Sequence, residues 1–215
     1  MEKWRGIKTT SKPKNTREAL TITNRLGQKS MSLPWITDSK RWAGFPGLAG
    51  TARKIAKLIP ECKYYVEPFA GSAKVYQEMS IGKFHYAVLN DKSKYIVKWL
   101  KKEFPYANVT NYDFKTVIKR YDSRTTFFLI DPPWYRSYYD QIFSIFNRPS
   151  VAHYDQEVLD LCEKLKGKFI ITTRKENQIM RRSRFNHKLI KSEYVVSGKY
   201  PKVLLTTNLR VRRSK

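Results

Sequence analysis

Short apolar runs alternate with segments of helical periodicity along most of this chain. Continuous or alternating apolar runs of four to six residues predict strands, and apolar residues three and four positions apart predict helices. The strands are predicted at 63–66, 85–89, 107–110, 125–130 and 169–173. The helices are predicted at 51–59, 72–79, 114–121 and 155–166, and another carries Ile96, Val97 and Leu100 after a possible cap at Asp91. Strands that take turns with helices indicate an α/β protein with a doubly wound, mostly parallel sheet.

The C-terminal part of the chain departs from this alternation. Two β-rich runs, 188–196 and 202–211, are separated only by Ser197-Gly198-Lys199-Tyr200-Pro201, a composition typical of turns. This predicts that the sheet ends in an antiparallel hairpin. In such a sheet, ligands lie beyond the carboxyl ends of the parallel strands.

Residues 1–37 show neither periodicity, and they mix lysine and arginine with serine, threonine and proline. We interpret them as a basic N-terminal extension. Residues 38–215 then form one domain, a usual size for a single fold.

The charge balance indicates the partner. Lys and Arg total 43 against 18 Asp and Glu, a formal charge of +25. Such an excess is typical of chains that bind phosphate, so nucleic acid is the predicted partner, with the arginine clusters 181–184 and 210–213 as candidate contacts. No apolar run approaches the length of a membrane span, so no membrane partner is expected. The N-terminus has no apolar signal segment, which predicts a cytoplasmic location.

Metal and disulfide chemistry have little support in the sequence. Cys62 and Cys162 lie far apart, and the three histidines are scattered. Neither the spacing of a zinc site nor that of a disulfide framework is present, so we expect no metal.

The tetrapeptide Asp131-Pro132-Pro133-Trp134 follows the buried strand predicted at 125–130. It combines a carboxylate, a rigid backbone carbonyl and a flat aromatic ring, which suits gripping a planar base by its amino group. A proline turn after a core strand is the alternative. A second segment, Glu67-Pro68-Phe69-Ala70-Gly71-Ser72-Ala73, runs from a strand through a small-residue turn into a helix, where a cofactor can lie against the backbone.

Together, these two segments resemble the motifs of S-adenosylmethionine-dependent amino-methyltransferases, most closely the Dam-like (D12 class) DNA adenine methyltransferases. Residues 67–72 resemble the cofactor motif and 131–134 the Asp-Pro-Pro-Tyr catalytic motif. Arg41-Trp42-Ala43-Gly44 resembles a motif that helps to close the cofactor pocket, and 202–208 resembles the closing strand. The resemblance spans about 38–208 and implies a Rossmann-like class I methyltransferase fold with S-adenosylmethionine as cofactor.

The resemblance also implies roles for individual residues. Asp131 and Pro132 would bind the exocyclic amine, and Pro133 and Trp134 complete the catalytic motif, with Trp134 stacking on a flipped base. Asp91 would accept the ribose hydroxyls, Asp113 would contact the cofactor's adenine amino group, and Phe114 would pack on that ring. Either acid could instead cap the next helix. The full predicted cofactor set is Trp42, Ala43, Gly44, Glu67, Pro68, Phe69, Gly71, Ser72, Asp91, Asp113 and Phe114.

The chain also departs from the family pattern. Ala73 replaces a glycine, which we expect the start of the helix to tolerate, and Trp134 replaces the commoner tyrosine. Dam-like enzymes have a target-recognition insertion before the catalytic motif, but only 115–124 intervene here. Residues 135–153 are the remaining candidate for a substrate loop. The predicted nucleic-acid contacts are Arg136, Tyr138, Tyr139, Arg148, Arg181, Arg182 and Arg184.

The sequence is compatible with three functions. The first is adenine methylation in DNA with base flipping, and the second is adenine methylation in structured RNA. The third is a catalytically silent methyltransferase fold that binds nucleic acid. Cytosine is a further possible target amine, although the Asp-Pro-Pro form favours adenine.

Overall fold

The computed structural model describes residues 48–80, 82–133, 152–191 and 202–210. Within these ranges the strands are β1 Cys62–Glu67, β2 Phe84–Asn90, β3 Asn108–Thr110, β4 Thr126–Ile130, β5 Lys168–Arg174, β6 Asn186–Lys191 and β7 Lys202–Thr207. In the same ranges the helices are α1 Leu48–Leu58, α2 Lys74–Gln77, α3 Lys94–Glu103, α4 Phe114–Tyr121, α5 Ala152–Cys162 and α6 Gln178–Arg181. The predicted extension 1–37 lies outside the described residues.

All seven strands form one sheet in the order β3-β2-β1-β4-β5-β7-β6. Strands β1 to β5 are parallel, and β7 is antiparallel to both β5 and β6. This is the Rossmann-like class I methyltransferase fold, so the predicted fold class with its antiparallel C-terminal hairpin is confirmed. We call the side on which the parallel strands end the carboxyl edge, and the side on which they begin the amino edge. The strand order reverses between β1 and β4, which is where ligands bind in sheets of this kind.

Two apolar clusters cover the two faces of the sheet. One packs the inward sides of α4, α5 and α6 against residues such as Val66 and Phe128, and the other packs α1 against Tyr65 and Phe127. All five residues of β4 are buried because both faces of this central strand are covered. The central position of β4 therefore explains why its sequence is a continuous apolar run and not an alternating one.

Several predicted boundaries were wrong by about a turn. Helix α5 begins before residue 155 and ends at Cys162, and α6 was not predicted at all. The cap of α3 is Ser93, whose Oγ accepts a hydrogen bond from the Ile96 N–H at 3.5 Å, and not Asp91. Strand β6 begins at Asn186, earlier than predicted.

The helix predicted at 72–79 is reduced to the four residues of α2, because the turn before it is longer than expected. Gly71 and Ala73 both have φ of 49°, in the left-handed region that favours glycine. The position of Ala73, where the resembled cofactor motif has glycine, therefore has a left-handed backbone in this chain. Ala73 occupies it as the N-cap of α2, not as a regular helical residue.

Two further structural observations bear on the sequence predictions. No helix in the described ranges is both long and apolar enough to cross a bilayer. Among the described residues, no three His, Cys, Asp or Glu side chains converge as metal ligands.

Gly167, just before β5, is the position where an added methyl group should cost most. An ideal Cβ there would lie 2.9 Å from the Thr126 carbonyl oxygen and 3.1 Å from the Ser123 carbonyl oxygen. Because backbone atoms cannot move aside cheaply, we expect Gly167→Ala to lower the free energy of unfolding by about 1–3 kcal/mol. Urea denaturation checks this. The neighbouring exposed Lys166→Ala should change it by less than about 0.5 kcal/mol, and equal stabilities would contradict the packing argument.

Candidate active site

Glu67, the last residue of β1, is a buried carboxyl at the carboxyl edge, only 3% exposed. Its Oε1 accepts hydrogen bonds from the Tyr65 hydroxyl at 2.5 Å and from the Tyr76 N–H at 3.1 Å. The pKa of Glu67 is raised to about 8, mainly by burial and in addition by the charge of Asp131, against the opposing effect of the two hydrogen bonds. Glu67 is therefore mainly protonated at neutral pH.

Asp91 connects the turn after β1 to the end of β2. Its Oδ2 accepts a hydrogen bond from the Gly71 N–H at 3.0 Å, and its Oδ1 accepts one from the Ser93 N–H at 2.8 Å. Burial raises the pKa of Asp91, while these two bonds lower it. A carboxylate oxygen can accept two hydrogen bonds, so the contacts to Gly71 and Ser93 leave acceptor capacity for hydroxyl groups.

Asn90 is a site residue that the sequence interpretation missed. It is 1% exposed, and its Nδ2 donates to the carbonyl oxygens of Pro68 at 2.9 Å and Tyr112 at 3.0 Å. Its Oδ1 accepts from the Thr110 hydroxyl and from the Tyr112 N–H, both at 2.8 Å. Asn90 thus holds the turn after β1 against the loop after β3. The only signal in the sequence is a polar residue at the end of a buried strand.

Asp113 caps the N-terminus of α4, which is the structural role that the sequence analysis gave as the alternative to a cofactor contact. Its Oδ1 accepts from the Lys115 N–H at 3.0 Å, and its Oδ2 forms an ion pair with Lys92 at 3.1 Å. Partial burial raises the pKa of Asp113, but these partners outweigh it and the net pKa is lowered. Its contact with a cofactor stays a prediction.

Phe114 lies in a cluster of three aromatic rings behind the turn. Its centroid is 4.9 Å from that of Phe69 and 5.6 Å from that of Tyr154. Phe69 and Phe114 were both predicted as cofactor residues, and the structure brings them together. Tyr154 of α5 was missed, because nothing in its local sequence distinguishes it from other helix aromatics.

Asp131 follows β4 directly, and β4 pairs in parallel with β1 with Phe128 in register with Val66, so Asp131 and the turn after Glu67 lie at the same edge. The Thr172 hydroxyl of β5 donates a hydrogen bond to Asp131 Oδ1. Pro132 is buried and Pro133 is half-buried. The two segments that were predicted as the catalytic and cofactor motifs, about 60 residues apart in the chain, therefore meet at one edge of the sheet.

The remaining predicted residues divide into two groups. Trp42, Ala43, Gly44, Trp134, Arg136, Tyr138, Tyr139 and Arg148 lie outside the described residues. Arg181, Arg182 and Arg184 are described and exposed, but they lead into β6, which begins at the amino edge. Arg184 Nη2 donates to the Glu163 carbonyl oxygen at 3.3 Å, beyond the C-terminus of α5. The structure does not bring Arg184 together with Asp131.

Comparison with known proteins shows similarity of this chain to solved structures in the fold alone. No family model and no curated protein matches the sequence. Among solved structures, the 23S rRNA methyltransferase ErmE has 14% identity and a TM-score of 0.49, over 75% of this chain and 70% of that one. TrmK of M. capricolum with S-adenosyl-homocysteine has 12% identity and a TM-score of 0.47, over 74% and 67%. Spermidine synthase from Thermotoga maritima has 14% identity and a TM-score of 0.48, over 71% and 56%. The functional argument therefore rests on the residues of the site.

Proposed function

We propose that this chain is an S-adenosylmethionine-dependent methyltransferase that modifies the exocyclic 6-amino group of adenine in nucleic acid, with DNA as the favoured substrate. The observation that carries the proposal is the position of Asp131-Pro132-Pro133 at the carboxyl edge, beside the turn that follows Glu67. Each segment alone is compatible with ordinary packing. Their meeting at the switch point of the sheet is typical of a two-ligand site.

The residues around the turn fit the cofactor. Asp91 retains acceptor capacity for ribose hydroxyls, and the half-buried ring of Phe69 offers an apolar surface beside Phe114. Bound there, S-adenosylmethionine supplies an electrophilic methyl group on a positively charged sulfur. The carboxylates of Asp91 and Asp131 make the edge suitable for a cationic ligand.

Asp131 would activate the target amine. The lone pair of an exocyclic adenine nitrogen is delocalised into the ring, so the nitrogen is a poor nucleophile. Hydrogen bonds from the amine to the Asp131 carboxylate and the Pro132 carbonyl would favour tetrahedral geometry at nitrogen and expose its lone pair. Positioning and hydrogen bonding suffice for this step, and no covalent intermediate is needed. A base in a duplex must be flipped to reach these groups.

One observation favours the alternative of structured RNA. In the structure, β3 is connected to β4 by α4 and short loops alone. No separate element for reading a DNA sequence lies between them, so recognition through shape and backbone is a second candidate. The silent-subunit alternative has less support, because Asp131 is present and bonded by Thr172 at the edge where the chemistry would occur.

The test is methyl transfer from labelled S-adenosylmethionine to duplex DNA, single-stranded DNA and total RNA, followed by nucleoside mass spectrometry. The proposal expects labelled N6-methyladenine, and the nucleic acid that carries the label identifies the substrate class. Labelled methylcytosine would overturn the adenine assignment. Cofactor and nucleic-acid binding without transfer would favour the silent subunit.

Thr172 should position Asp131 for catalysis. Replacing its hydroxyl in Thr172→Val removes the bond to Asp131 Oδ1, so we expect the rate of methyl transfer to fall roughly 10- to 100-fold with little change in cofactor affinity. Single-turnover kinetics measure the rate, and titration calorimetry measures the affinity. Thr172→Ser retains the hydroxyl and should keep most of the activity. Equal rates in the Val and Ser variants would contradict this role.

A further inference from the structure

The amino edge of the sheet, opposite the candidate active site, carries a row of exposed cations. They are Lys63, Arg124, Lys166, Lys168, Arg184 and Arg210. Neighbouring strands bring them together: the Lys63 N–H donates to the Thr125 carbonyl oxygen at 2.9 Å, and Lys168 is in register with Phe127. Five separate segments of the chain thus contribute positive charge to one edge.

Within the described part of the chain, none of these six cations is in an ion pair. Glu61, Asp122 and Glu163 are acids near the same strand starts, and Asp122 accepts hydrogen bonds from the backbone N–H groups of Lys166 and Gly167, both at 3.0 Å. At the carboxyl edge the pattern differs, because Lys92 pairs with Asp113 at 3.1 Å and Lys115 of α4 pairs with Glu157 at 3.0 Å. The amino edge therefore keeps a positive potential that surface ion pairs do not neutralise.

Tyrosine rings lie beside these charges. Tyr86 is 55% exposed, and its ring stacks on Tyr64 with centroids 5.2 Å apart and planes 24° apart. Lys63 Nζ lies 5.6 Å from the centroid of the Tyr64 ring. Exposed aromatic rings next to cations are typical of surfaces that hold nucleic acid through phosphate contacts and base stacking.

We propose that the amino edge is a second nucleic-acid surface, which binds the phosphate backbone of the substrate at a distance from the base that Asp131 contacts. This inference rests on the proposed function for the class of the ligand. Extended chain between 124 and 131 covers about 23 Å at about 3.3 Å per residue. With about 3.4 Å per nucleotide along a stacked strand, the substrate needs about seven nucleotides beyond the target base to reach this edge. The substrate is therefore a long or folded nucleic acid.

The experiment compares two variants of the full chain that lose the same charge. The edge variant carries Lys63→Gln, Arg124→Gln, Lys166→Gln and Lys168→Gln. The control carries Arg53→Gln, Lys74→Gln, Lys94→Gln and Lys98→Gln, which are exposed cations of α1, α2 and α3 away from the amino edge. Fluorescence anisotropy at several salt concentrations measures binding to a 24-base-pair duplex, a 40-nucleotide RNA hairpin and a five-nucleotide single strand. Thermal melting and cofactor titration verify that both variants are folded.

The proposal expects the edge variant to lose roughly tenfold or more in affinity for at least one of the two long ligands. Its slope of log affinity against log salt should fall by about 0.7–0.9 for each lost phosphate contact. The five-nucleotide strand should bind all three proteins alike, and the control should keep most of the wild-type slope. Tyr86→Ala should weaken binding of the RNA hairpin further if its loop bases stack there.

Three results would overturn the inference: an equal loss in the control, an equal loss for the five-nucleotide strand, or an unchanged slope in the edge variant. Because binding is measured without methyl transfer, the proposed function and this surface can fail separately. If the wild-type chain transferred no methyl group but the salt dependence of its nucleic-acid binding still depended on the edge residues, the proposed function would fail. The inference of a nucleic-acid surface at the amino edge would then stand alone.

Discussion

Asp131→Asn is expected to reduce methyl transfer by about a hundredfold or more while leaving the affinity for S-adenosylmethionine nearly unchanged. The amide preserves the size of the side chain but removes the negative charge that would polarise the target amine. The loss of one directed hydrogen-bonding group in a catalytic site typically costs 100- to 1000-fold in rate. Single-turnover transfer to the nucleic acid that the methyl-transfer assay identifies as substrate measures the rate, and calorimetry measures cofactor binding.

The matched control for this variant is Asp91→Asn, which alters a carboxylate of the same edge that is assigned to the cofactor and not to the amine. Asp91→Asn should weaken cofactor binding, whereas Asp131→Asn should not. The two variants therefore separate the two halves of the site. Normal turnover by Asp131→Asn would show that the proline motif is structural in this chain.

Glu67→Gln is expected to stabilise the protein at pH 8, by an amount on the order of 3–5 kcal/mol. The buried Glu67 carboxyl has a pKa of about 8 against an ordinary value of 4.5. Each unit of this difference corresponds to about 1.4 kcal/mol of unfavourable interaction with the ionised form. Glutamine keeps an oxygen for the Tyr65 hydroxyl and the Tyr76 N–H but cannot ionise.

The direction of the pH dependence follows from the raised pKa of Glu67. Below about pH 4.5 both the folded and the unfolded chain hold the proton, and the stability contribution is fully present. As the pH rises, the unfolded chain releases the proton first, so stability is lost progressively until the folded pKa near 8 is passed. The stabilities of wild type and Glu67→Gln should accordingly be close at pH 4.5 and diverge up to about pH 8, as measured by urea denaturation across this range.

Asp155→Asn is the control for the Glu67 prediction. Burial raises the pKa of Asp155 to about 6, against a hydrogen bond from Asn177 Nδ2 at 2.8 Å. Its replacement should therefore change the pH dependence only up to about pH 6. A stability difference between wild type and Glu67→Gln that does not grow between pH 6 and 8 would contradict a protonated Glu67.

Asp131→Asn should lower the pKa of Glu67, because the charge of Asp131 contributes to the raised pKa. The pH dependence of stability that Glu67 causes should then end at a lower pH.

Much of the fold was predictable because it depends on local patterns. Continuous apolar runs such as 125–130 identify strands whatever their neighbours are, since a strand covered on both faces needs apolar side chains throughout. The turn chemistry of 197–201 predicted the hairpin, and the confirmed pair of β6 and β7 flanks it. Boundaries were less predictable, because caps such as Ser93 depend on which side chain reaches the first free N–H groups of a helix.

The sequence by itself determined the order of the elements, the basic charge and the two motifs around Glu67 and Asp131. Only the tertiary structure decided that β7 and not β6 pairs with β5, that Thr172 bonds Asp131, and that Asn90 joins two loops. It also placed Arg184, predicted as a nucleic-acid contact, at the edge opposite Asp131. The physical reason is that periodicity reports only which face of an element is buried. Contacts between distant segments depend on strand order and direction, and the protonation of Glu67 depends on the burial that those contacts create.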